Sequence, residues 1–378
     1  MRRMRVIAFA TVALVSALSL VGCAKDAGTS GQGQPTAGKC AFAAAPSAPA
    51  AASSTSAGKA EKVDGRAMRV GLVYDVGGRG DASFNDAAGK GFDQAKAELG
   101  VTTVKEVSAS ATEANDAKES RLRQVASENY NPIIAVGFAY ADAVKTVAAA
   151  YPNTRFAIVD DAGGGAPNVT GLTFAEHQGS FLAGVIAAYK SKSCHVGFIG
   201  GVQVPLIQKF EAGFVAGAKS AAPGIKIEKK YLTPAGDFTG FTDPVKGNEA
   251  TQGVITAGAD VVYHAAGASG KGVFSAVHAA NVLAIGVDSD QYNQKEVAQD
   301  KDVIVSSMLK RVDVAVFSYI KAVARNDLST LPKVFDLSVD GVGYATSGGK
   351  IDDIKSTLDA YKAAIVAGKI TVPDTSGS

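Results

Sequence analysis

Carboxylates, amides, glycines and aromatic residues recur where the predicted strands of this chain end. In open α/β sheets, ligands bind outside the carboxyl ends of the strands, so these side chains are the first candidates for chemistry. They are Asp81, Phe84 and Asn85; Gly137, Phe138 and Tyr140; Asp160 and Asp161; Gly200 and Gly201; Gly267, Ser269 and Gly270; and Asp288 and Asp290. This mixture favours one uncharged, polyhydroxylated and partly aromatic ligand over a phosphate or a metal ion.

Seven of these residues are our candidate ligand-binding residues: Asp81, Phe84, Asn85, Tyr140, Asp160, Gly267 and Asp288. Several of them also have a structural interpretation. Asp288 is a residue type that ends strands and caps helices, and Asn85 could cap the helix that follows it. Asp160 precedes a run of glycines, as the acid of an ordinary turn would. Phe84 could simply pack in the core at a helix start.

An alternation of short apolar runs with amphipathic segments must position these residues. The predicted strands are 69–74, 103–107, 132–136, 155–159, 169–174, 195–199, 226–231, 261–264, 283–287 and 303–307. The predicted helices between them are 85–99, 114–128, 140–151, 176–189, 205–221, 244–257, 270–280 and 312–324. This βαβα order predicts an α/β protein with parallel sheets covered on both faces. Because the folded part exceeds the size of a typical single core, we expect two lobes.

The amino-terminal segment is typical of a bacterial lipoprotein signal. A basic Met1–Arg5 precedes the apolar run Val6–Val21, and Leu20-Val21-Gly22 leads to Cys23, which would take a lipid after cleavage. The run is shorter than the ~20 residues that a membrane-spanning helix needs. We therefore expect a signal peptide at 1–22 and a mature protein anchored at Cys23 on the extracytoplasmic face of the cell membrane.

The residues that follow Cys23 are rich in Ala, Gly, Ser, Thr and Pro, which predicts a lipidated, disordered tether over 23–66. Two cysteines besides Cys23 are present, Cys40 in this tether and Cys194 at the start of an apolar strand. In an oxidising compartment these two could form a disulfide. The alternative is that Cys194 is a small buried apolar residue.

Several function classes are disfavoured by the sequence. The net charge is only +2 with both signs interspersed, which disfavours a nucleic-acid partner. The four histidines form no cluster with zinc-ligand spacing, and Ser180 is not framed as G-x-S-x-G, so we expect neither an enzyme nor a metal site. The glycines at 77–80 and at 267–272 lack the spacing of dinucleotide or phosphate loops, so no cofactor is expected.

Six segments, read in order, resemble one protein family. They are Asp81-Ala82-Ser83-Phe84-Asn85, Glu176 to Gly184, Phe198-Ile199-Gly200-Gly201, Phe210-Glu211-Ala212-Gly213-Phe214, Gly286 to Gln291 and Lys310-Arg311-Val312-Asp313. The chain from Met68 to Pro373 is similar to the basic membrane protein family of solute-binding lipoproteins, including the purine nucleoside receptor lipoproteins of bacteria.

The resemblance implies a type I periplasmic-binding-protein fold, in which two Rossmann-like lobes are joined by three hinge crossovers and close on a ligand. Lobe 1 would comprise 67–174 and 308–331, and lobe 2 would comprise 175–307 and 332–374. The crossovers would lie near Phe174-Ala175, Ser307-Met308 and Leu331-Pro332.

The resemblance also implies roles for individual side chains. Phe84 would stack on a base, with Phe210 covering its other side, although Phe210 lies one helical turn from Phe214 as a core residue would. Asp81 and Asn85 would hydrogen-bond polar edges of the ligand. Asp288 would accept from the ribose hydroxyls, and Lys310 would complete the sugar end.

The implied function is that of a monomeric, lipid-anchored receptor that captures a nucleoside, expected to be a purine nucleoside, and delivers it to the permease of an ABC importer. The alternatives are a receptor for a monosaccharide or another small polar solute, and a ligand sensor without transport.

Overall fold

The computed structural model describes residues 40–47 and 63–375, and within them strands and helices alternate along the chain. The strands are β1 (Arg69–Tyr74), β2 (Thr103–Ser108), β3 (Ile133–Ala135), β4 (Phe156–Val159), β5 (Val169–Leu172), β6 (His195–Val202), β7 (Lys226–Thr233), β8 (Val261–Ala265), β9 (Leu283–Asp288), β10 (Ile304–Lys310) and β11 (Val342–Tyr344). The helices are α1 (Phe84–Leu99), α2 (Asn115–Ser127), α3 (Ala141–Ala150), α4 (Glu176–Lys190), α5 (Pro205–Ala221), α6 (Pro244–Thr256), α7 (Gly270–Ala279), α8 (Val312–Ala324) and α9 (Lys355–Val366).

The first lobe is built on a parallel five-stranded sheet with the order β2-β1-β3-β4-β5. Its central strands β3 and β4 are completely buried because helices cover both faces. Side chains of β1 alternate between the two faces: Leu72 packs in the core with α1 and α8, whereas Val73 packs with α2 and α3. Because all five strands run parallel, their carboxyl ends lie at one edge of the sheet.

The second lobe is built on a six-stranded sheet with the order β11-β10-β9-β8-β6-β7. All its strands are parallel except β11, which pairs antiparallel with β10. Helices α4 and α5 pack in the core on one face, and α6 and α7 pack on the other. The order of the strands in the two sheets confirms the prediction of an α/β protein with two Rossmann-like parallel sheets.

The chain passes between the lobes at three places. Phe174 pairs with Phe335 through a backbone bridge, and their rings stack with centroids 5.2 Å apart, so two of the crossings lie side by side. The third differs slightly from the prediction: β10 remains in the second sheet as far as Lys310, beyond the expected crossing at Ser307-Met308. Helix α8 then packs with α1 in the core of the first lobe.

The segment 40–47 is attached to the second lobe. Cys40 forms a disulfide with Cys194, which confirms that pairing. The ring of Phe42 stacks on Tyr189, and the Ala43 amide donates to the carbonyl of Ala221. Over these eight residues the prediction of a disordered tether is wrong, because a covalent bond and packing fix the chain.

The signal peptide, Cys23 and the remainder of the predicted tether up to residue 62 lie outside the described residues. Among the helices that the structure describes, none combines the length and the apolar character that crossing a bilayer requires.

Candidate functional site

A cavity of about 560 Å³, partly continuous with solvent, lies between the carboxyl ends of the two sheets. The first lobe contributes Asp75, Val76, Asp81, Phe84, Asn85, Phe138 and Asp160. The second lobe contributes Leu206, Ile207, Phe210, Phe241, Ala265, Gly267, Ala268, Val287, Asp288 and Lys310. The cavity is therefore built where the topology of two parallel sheets predicts a site.

Eight of the nine predicted ligand-binding residues line this one cavity: Asp81, Phe84, Asn85, Asp160, Phe210, Gly267, Asp288 and Lys310. The exception is Tyr140, which does not reach it. A short helical turn over Phe138–Tyr140 directs Phe138 to the cavity and buries Tyr140 within the first lobe. There the Tyr140 hydroxyl donates to the carbonyl of Tyr74 at 3.2 Å and accepts from Arg121 at 3.0 Å. The candidate role of Tyr140 in ligand binding is thus replaced by a structural one.

Asp81 is a lining residue whose acceptor sites are already used. Its Oδ1 accepts from the amides of Ser83 and Asp86 at 2.9 and 3.1 Å. Its Oδ2 accepts from the backbone amide and the side-chain Nδ2 of Asn85 at 2.9 and 3.1 Å. A carboxylate offers about four acceptor positions, so little remains for a ligand. Asp81 therefore fastens the loop that leads into α1.

Asn85 is likewise committed to the protein. Its Oδ1 accepts from the Asp75 amide at 3.1 Å, and its Nδ2 donates to the carbonyl of Val76 at 3.1 Å as well as to Asp81. Because α1 begins at Phe84, Asn85 lies inside the helix rather than at its cap. The structure thus gives Asn85 the task of joining the end of β1 to α1, which holds Phe84 at the cavity.

Asp160 and Asp288 differ from Asp81 because they present open acceptors. Both have left-handed backbone conformations, with φ of 69° and 62°, directly after β4 and at the end of β9. Aspartate is one of the few non-glycine types that tolerates this region. Oδ1 of Asp160 is buried without a hydrogen-bond partner among the described residues. Oδ2 of Asp288 accepts from the Ser83 hydroxyl at 2.7 Å.

Lys310 lines the cavity, and its side chain is 2% exposed. Its Nζ donates to Oδ2 of Asp160 at 2.6 Å and lies 3.7 Å from Oε1 of Glu176. Burial disfavours its charge, but Asp160, Glu176 and Asp288 outweigh that effect and raise the pKa of Lys310. Lys310 is accordingly a buried ammonium group that joins the second sheet to Asp160 of the first.

Aromatic rings surround this ammonium group. Nζ of Lys310 lies 4.9 Å from the centroid of the Phe84 ring, 5.2 Å from that of Phe174 and 5.5 Å from that of Phe210. These distances are within the range of cation–π attraction. The predicted aromatic pair, Phe84 from the first lobe and Phe210 from the second, therefore lies against one charged group at the cavity.

Asp75 is a lining residue that the sequence analysis did not single out. It follows β1 directly, and its Oδ1 accepts from the Val76 amide at 2.8 Å. Burial raises the pKa of Asp75 to about 7. Gly137 makes room for it: Gly137 has a φ of 104°, and a Cβ there would lie 2.2 Å from Oδ2 of Asp75. The signal was available, because the rule that selected Asp160 and Asp288 applies to Asp75 as well.

Phe241, Leu206 and Ile207 also line the cavity and were not predicted. Leu206 and Ile207 lie in the first turn of α5, and Phe241 lies in the connection between β7 and α6. Nothing in the type or spacing of these residues distinguishes them from core residues. They make most of the second lobe's wall apolar.

Burial also affects the other carboxyl groups near the cavity. It raises the pKa of Asp81 and of Asp288 to about 6. It raises the pKa of Glu176 to about 7, against the opposing effect of Lys310. Four carboxyl groups thus line the cavity, Asp75, Asp81, Asp160 and Asp288, against one lysine.

Comparisons with known proteins agree with this architecture. Residues 68–376 match the model of a family described as ABC transporter substrate-binding protein PnrA-like. The chain is 32% identical over 407 residues to the ABC transporter nucleoside-binding protein BmpA of Lactococcus lactis subsp. cremoris, with 98% of this chain and 99% of that protein covered. It is 33% identical over 325 residues to the CD4+ T-cell-stimulating antigen of Listeria monocytogenes, with 81% and 88% covered.

Among solved structures, the chain is similar to an ABC transporter system solute-binding protein from Aeropyrum pernix K1. The TM-score is 0.69 at 26% sequence identity, and the match covers 81% of this chain and 94% of that one. The two-lobed α/β architecture is therefore shared with a solute-binding protein over nearly its whole length.

Proposed function

Because this chain belongs to the PnrA-like family of ABC transporter substrate-binding proteins, we propose that it captures a nucleoside, preferentially a purine nucleoside, in the cavity between its lobes. It then delivers the nucleoside to the permease of an ABC importer. A lipid on Cys23 holds it at the extracytoplasmic face of the cell membrane. The observation that carries this proposal is that one cavity brings together phenylalanine rings from both lobes, Phe84 and Phe210 among them, and the carboxyl groups of Asp160 and Asp288.

The polar side of the cavity suits a ligand that donates hydrogen bonds. Asp160 and Asp288 are acceptors, and ribose hydroxyls are donors that a carboxylate binds about twice as strongly as a neutral acceptor does. Lys310 already donates to Asp160 and can donate further to a sugar oxygen. These three groups therefore assemble a site for vicinal hydroxyls.

The same electrostatics disfavour phosphorylated ligands. Asp75, Asp81, Asp160 and Asp288 line the cavity, and Lys310 is the cation among its lining residues. A phosphate would have to enter a buried space with an excess of carboxylates, where like charges repel strongly. A nucleoside is accordingly favoured over the corresponding nucleotide.

The apolar side of the cavity suits a planar base. Phe84 and Phe210 come from opposite lobes, and closure brings both against the ligand. Aromatic rings bury large flat groups at a low entropic cost. A monosaccharide would use the carboxylates but would leave much of the wall formed by Phe241, Leu206 and Ile207 uncovered, so a nucleoside fits the lining better.

Isothermal titration against a panel of nucleosides tests the proposal. The panel comprises inosine, adenosine, guanosine, uridine and cytidine, with free ribose, a free purine base and a purine nucleoside monophosphate as matched controls. We expect a purine nucleoside to bind most tightly and the monophosphate to bind far more weakly. Absence of any nucleoside binding below ~100 µM refutes the proposal. Tighter binding of ribose than of any nucleoside replaces it with a sugar receptor.

Transport and anchoring have their own tests. Deletion of the protein should abolish uptake of the nucleoside identified by titration, and unchanged uptake would argue for a sensor without transport.

The substitution Cys23→Ser should move the protein from the membrane fraction to the soluble fraction, because the lipid chains provide the membrane affinity. Retention of the Cys23→Ser variant in the membrane would refute lipid anchoring.

A further inference from the structure

The loop Gly80–Ser83 of the first lobe, which we name the clamp loop, is held by side chains of the second lobe. Nζ of Lys271, at the start of α7, donates to the carbonyl of Gly80 at 2.6 Å. Nε2 of Gln291 donates to the carbonyl of Ala82 at 3.0 Å. Ala82 has a φ of 60°, a strained conformation for alanine that a partner on the opposite lobe helps to hold.

The end of the clamp loop makes two more such contacts. The Ser289 hydroxyl donates to the carbonyl of Ser83 at 2.8 Å. The Ser83 hydroxyl donates to Asp288 at 2.7 Å. Phe84 follows the clamp loop directly, so these contacts between the lobes lie next to the cavity.

Lys271, Ser289 and Gln291 are absent from the lining of the cavity, which separates them from the ligand-binding residues. We propose that these three are positioning residues for ligand capture: they touch no ligand, and they hold the clamp loop against the second lobe. This inference rests on the proposed function, since it concerns closure of the same cavity. Loss of such a contact accelerates ligand release without affecting the folding of either lobe.

The substitution Lys271→Met tests the proposal because it keeps the length of the side chain and removes its charge and donor. The matched control is Lys219→Met, at an exposed lysine of α5. Dissociation of inosine, or of adenosine where inosine does not bind, is followed by stopped-flow displacement. We expect a roughly tenfold faster dissociation for Lys271→Met, as for one charge-assisted hydrogen bond, with recovery in Lys271→Arg.

The melting temperature of the ligand-free protein separates positioning from folding. It should be the same for Lys271→Met and Lys219→Met. A dissociation rate within twofold of the control overturns the proposal, and so does a faster rate accompanied by a lowered melting temperature, which would make Lys271 a structural residue.

Small-angle scattering of the ligand-free protein tests the clamp-loop contacts independently of nucleoside binding. Release of the clamp loop should enlarge the radius of gyration of Lys271→Met relative to Lys219→Met. If the unsubstituted protein binds no nucleoside, the proposed function fails, and the scattering comparison alone decides on the clamp loop. Equal radii would then overturn the inference.

A second inference comes from the attachment of residues 40–47. Cys194 immediately precedes β6, and Tyr189 and Ala221 lie in the last turns of α4 and α5. These contacts are at the amino ends of the parallel strands, the side of the second lobe opposite the cavity. After residue 47 the described chain resumes at residue 63, and the Gly65 amide donates to the carbonyl of Leu99 in the first lobe at 2.7 Å.

We infer that the disulfide transfers the membrane attachment from the first lobe, which the chain enters at β1, to the far end of the second lobe. The two lobes, which we call the body, are then joined to the lipid anchor at Cys23 by two covalent routes. One runs through the disulfide to Cys194, and the other runs through the peptide chain that enters β1. A single cut between the two attachment points cannot release the body from the membrane. This inference depends on the lipid anchor at Cys23 that the proposed function includes.

A protease site inserted after Ser54 in the full-length chain tests this second inference. After cleavage, the body should remain with the membranes and be released by dithiothreitol, which reduces the disulfide to two thiols and is itself oxidised to a cyclic disulfide. In the Cys40→Ser variant, cleavage alone should release it. Uncleaved protein treated with dithiothreitol is the control and should stay bound.

Release of the body by cleavage alone in the unsubstituted chain overturns the second inference. Absence of the protein from the membranes before cleavage refutes the lipid anchor instead. In that case a non-reducing gel decides on the disulfide link, since the two fragments migrate together only if Cys40 and Cys194 are bonded.

Discussion

Asp288 offers the sharpest test of the site, through the substitution Asp288→Asn. Asparagine tolerates the left-handed backbone that Asp288 adopts, with a φ of 62°, and its side-chain oxygen can still accept from Ser83. The substitution therefore removes the charge and changes little else. Asp340→Asn is the matched control, because Asp340 is exposed, has a φ of 53° and pairs with Lys362 away from the cavity.

The expected loss of affinity follows from the charge. A hydrogen bond to a charged group contributes about 1.5–3 kcal/mol, so the nucleoside should bind roughly 10- to 150-fold more weakly to Asp288→Asn. The stability of the ligand-free protein should not fall. Burial raises the pKa of Asp288 to about 6, so its charged form is disfavoured in the fold, and the neutral amide removes that cost at pH 7.5.

The pH dependence supplies an independent readout. In the unsubstituted protein the Asp288 carboxylate is lost as the pH falls through about 6, so affinity should decline between pH 7 and pH 5. Asp75 and Glu176, each with a pKa raised to about 7, titrate in both proteins, so the difference between the two profiles isolates Asp288. Titration calorimetry at several pH values measures it. An affinity within threefold of the Asp340→Asn control, or identical pH profiles, would refute the reasoning.

Three further outcomes are expected. Burial raises the pKa of Asp75 from 3.8 to about 7, so the folded state loses stability as the pH rises between these two values, and the loss is complete once Asp75 is ionised above pH 7. Asp75→Asn should therefore raise the melting temperature in calorimetry at pH 8 and leave it unchanged at pH 3.5. Tyr140→Phe should lower the free energy of unfolding in urea by about 1 kcal/mol while nucleoside affinity stays constant. Cys40→Ser opens a loop with a sequence separation of 154, so thermal unfolding should show a loss on the order of 5 kcal/mol, and an unchanged melting temperature would contradict the chain-entropy argument.

The fold was accessible from the sequence because parallel sheets leave a strong pattern. Strands β1 and β9 are buried apolar runs bounded by turn residues, and α5 begins at a proline that a first helical turn accepts. Two elements were missed, β11 and α9. A strand of three residues is too short to show alternation, and α9 follows a glycine- and serine-rich connection that gives no distinct signal for its start.

The sequence predicted where the site lies better than it predicted what each residue does there. The rule that ligands bind beyond the strand ends located Asp160 and Asp288 at the cavity, yet it selected Tyr140 equally, because it cannot tell which side of a helical turn a residue occupies. It also could not tell that the carboxylate oxygens of Asp81 already accept hydrogen bonds from backbone amides. Which lone pairs remain open is a property of the folded loop.

In the proposed capture of a nucleoside, binding of the ligand and closure of the lobes depend on the same charged groups. Asp288 accepts from Ser83 of the opposite lobe, and Lys310 of the second lobe donates to Asp160 of the first. Oδ1 of Asp160 is buried in this arrangement of the lobes, and no described residue donates to it. Leaving a buried acceptor unpaired costs about 1–3 kcal/mol, and a ligand hydroxyl that donates to it removes that cost. A ligand hydroxyl that donates to Oδ1 of Asp160 therefore also stabilises the closed arrangement. Closure is then selective for solutes that carry a hydroxyl at that position.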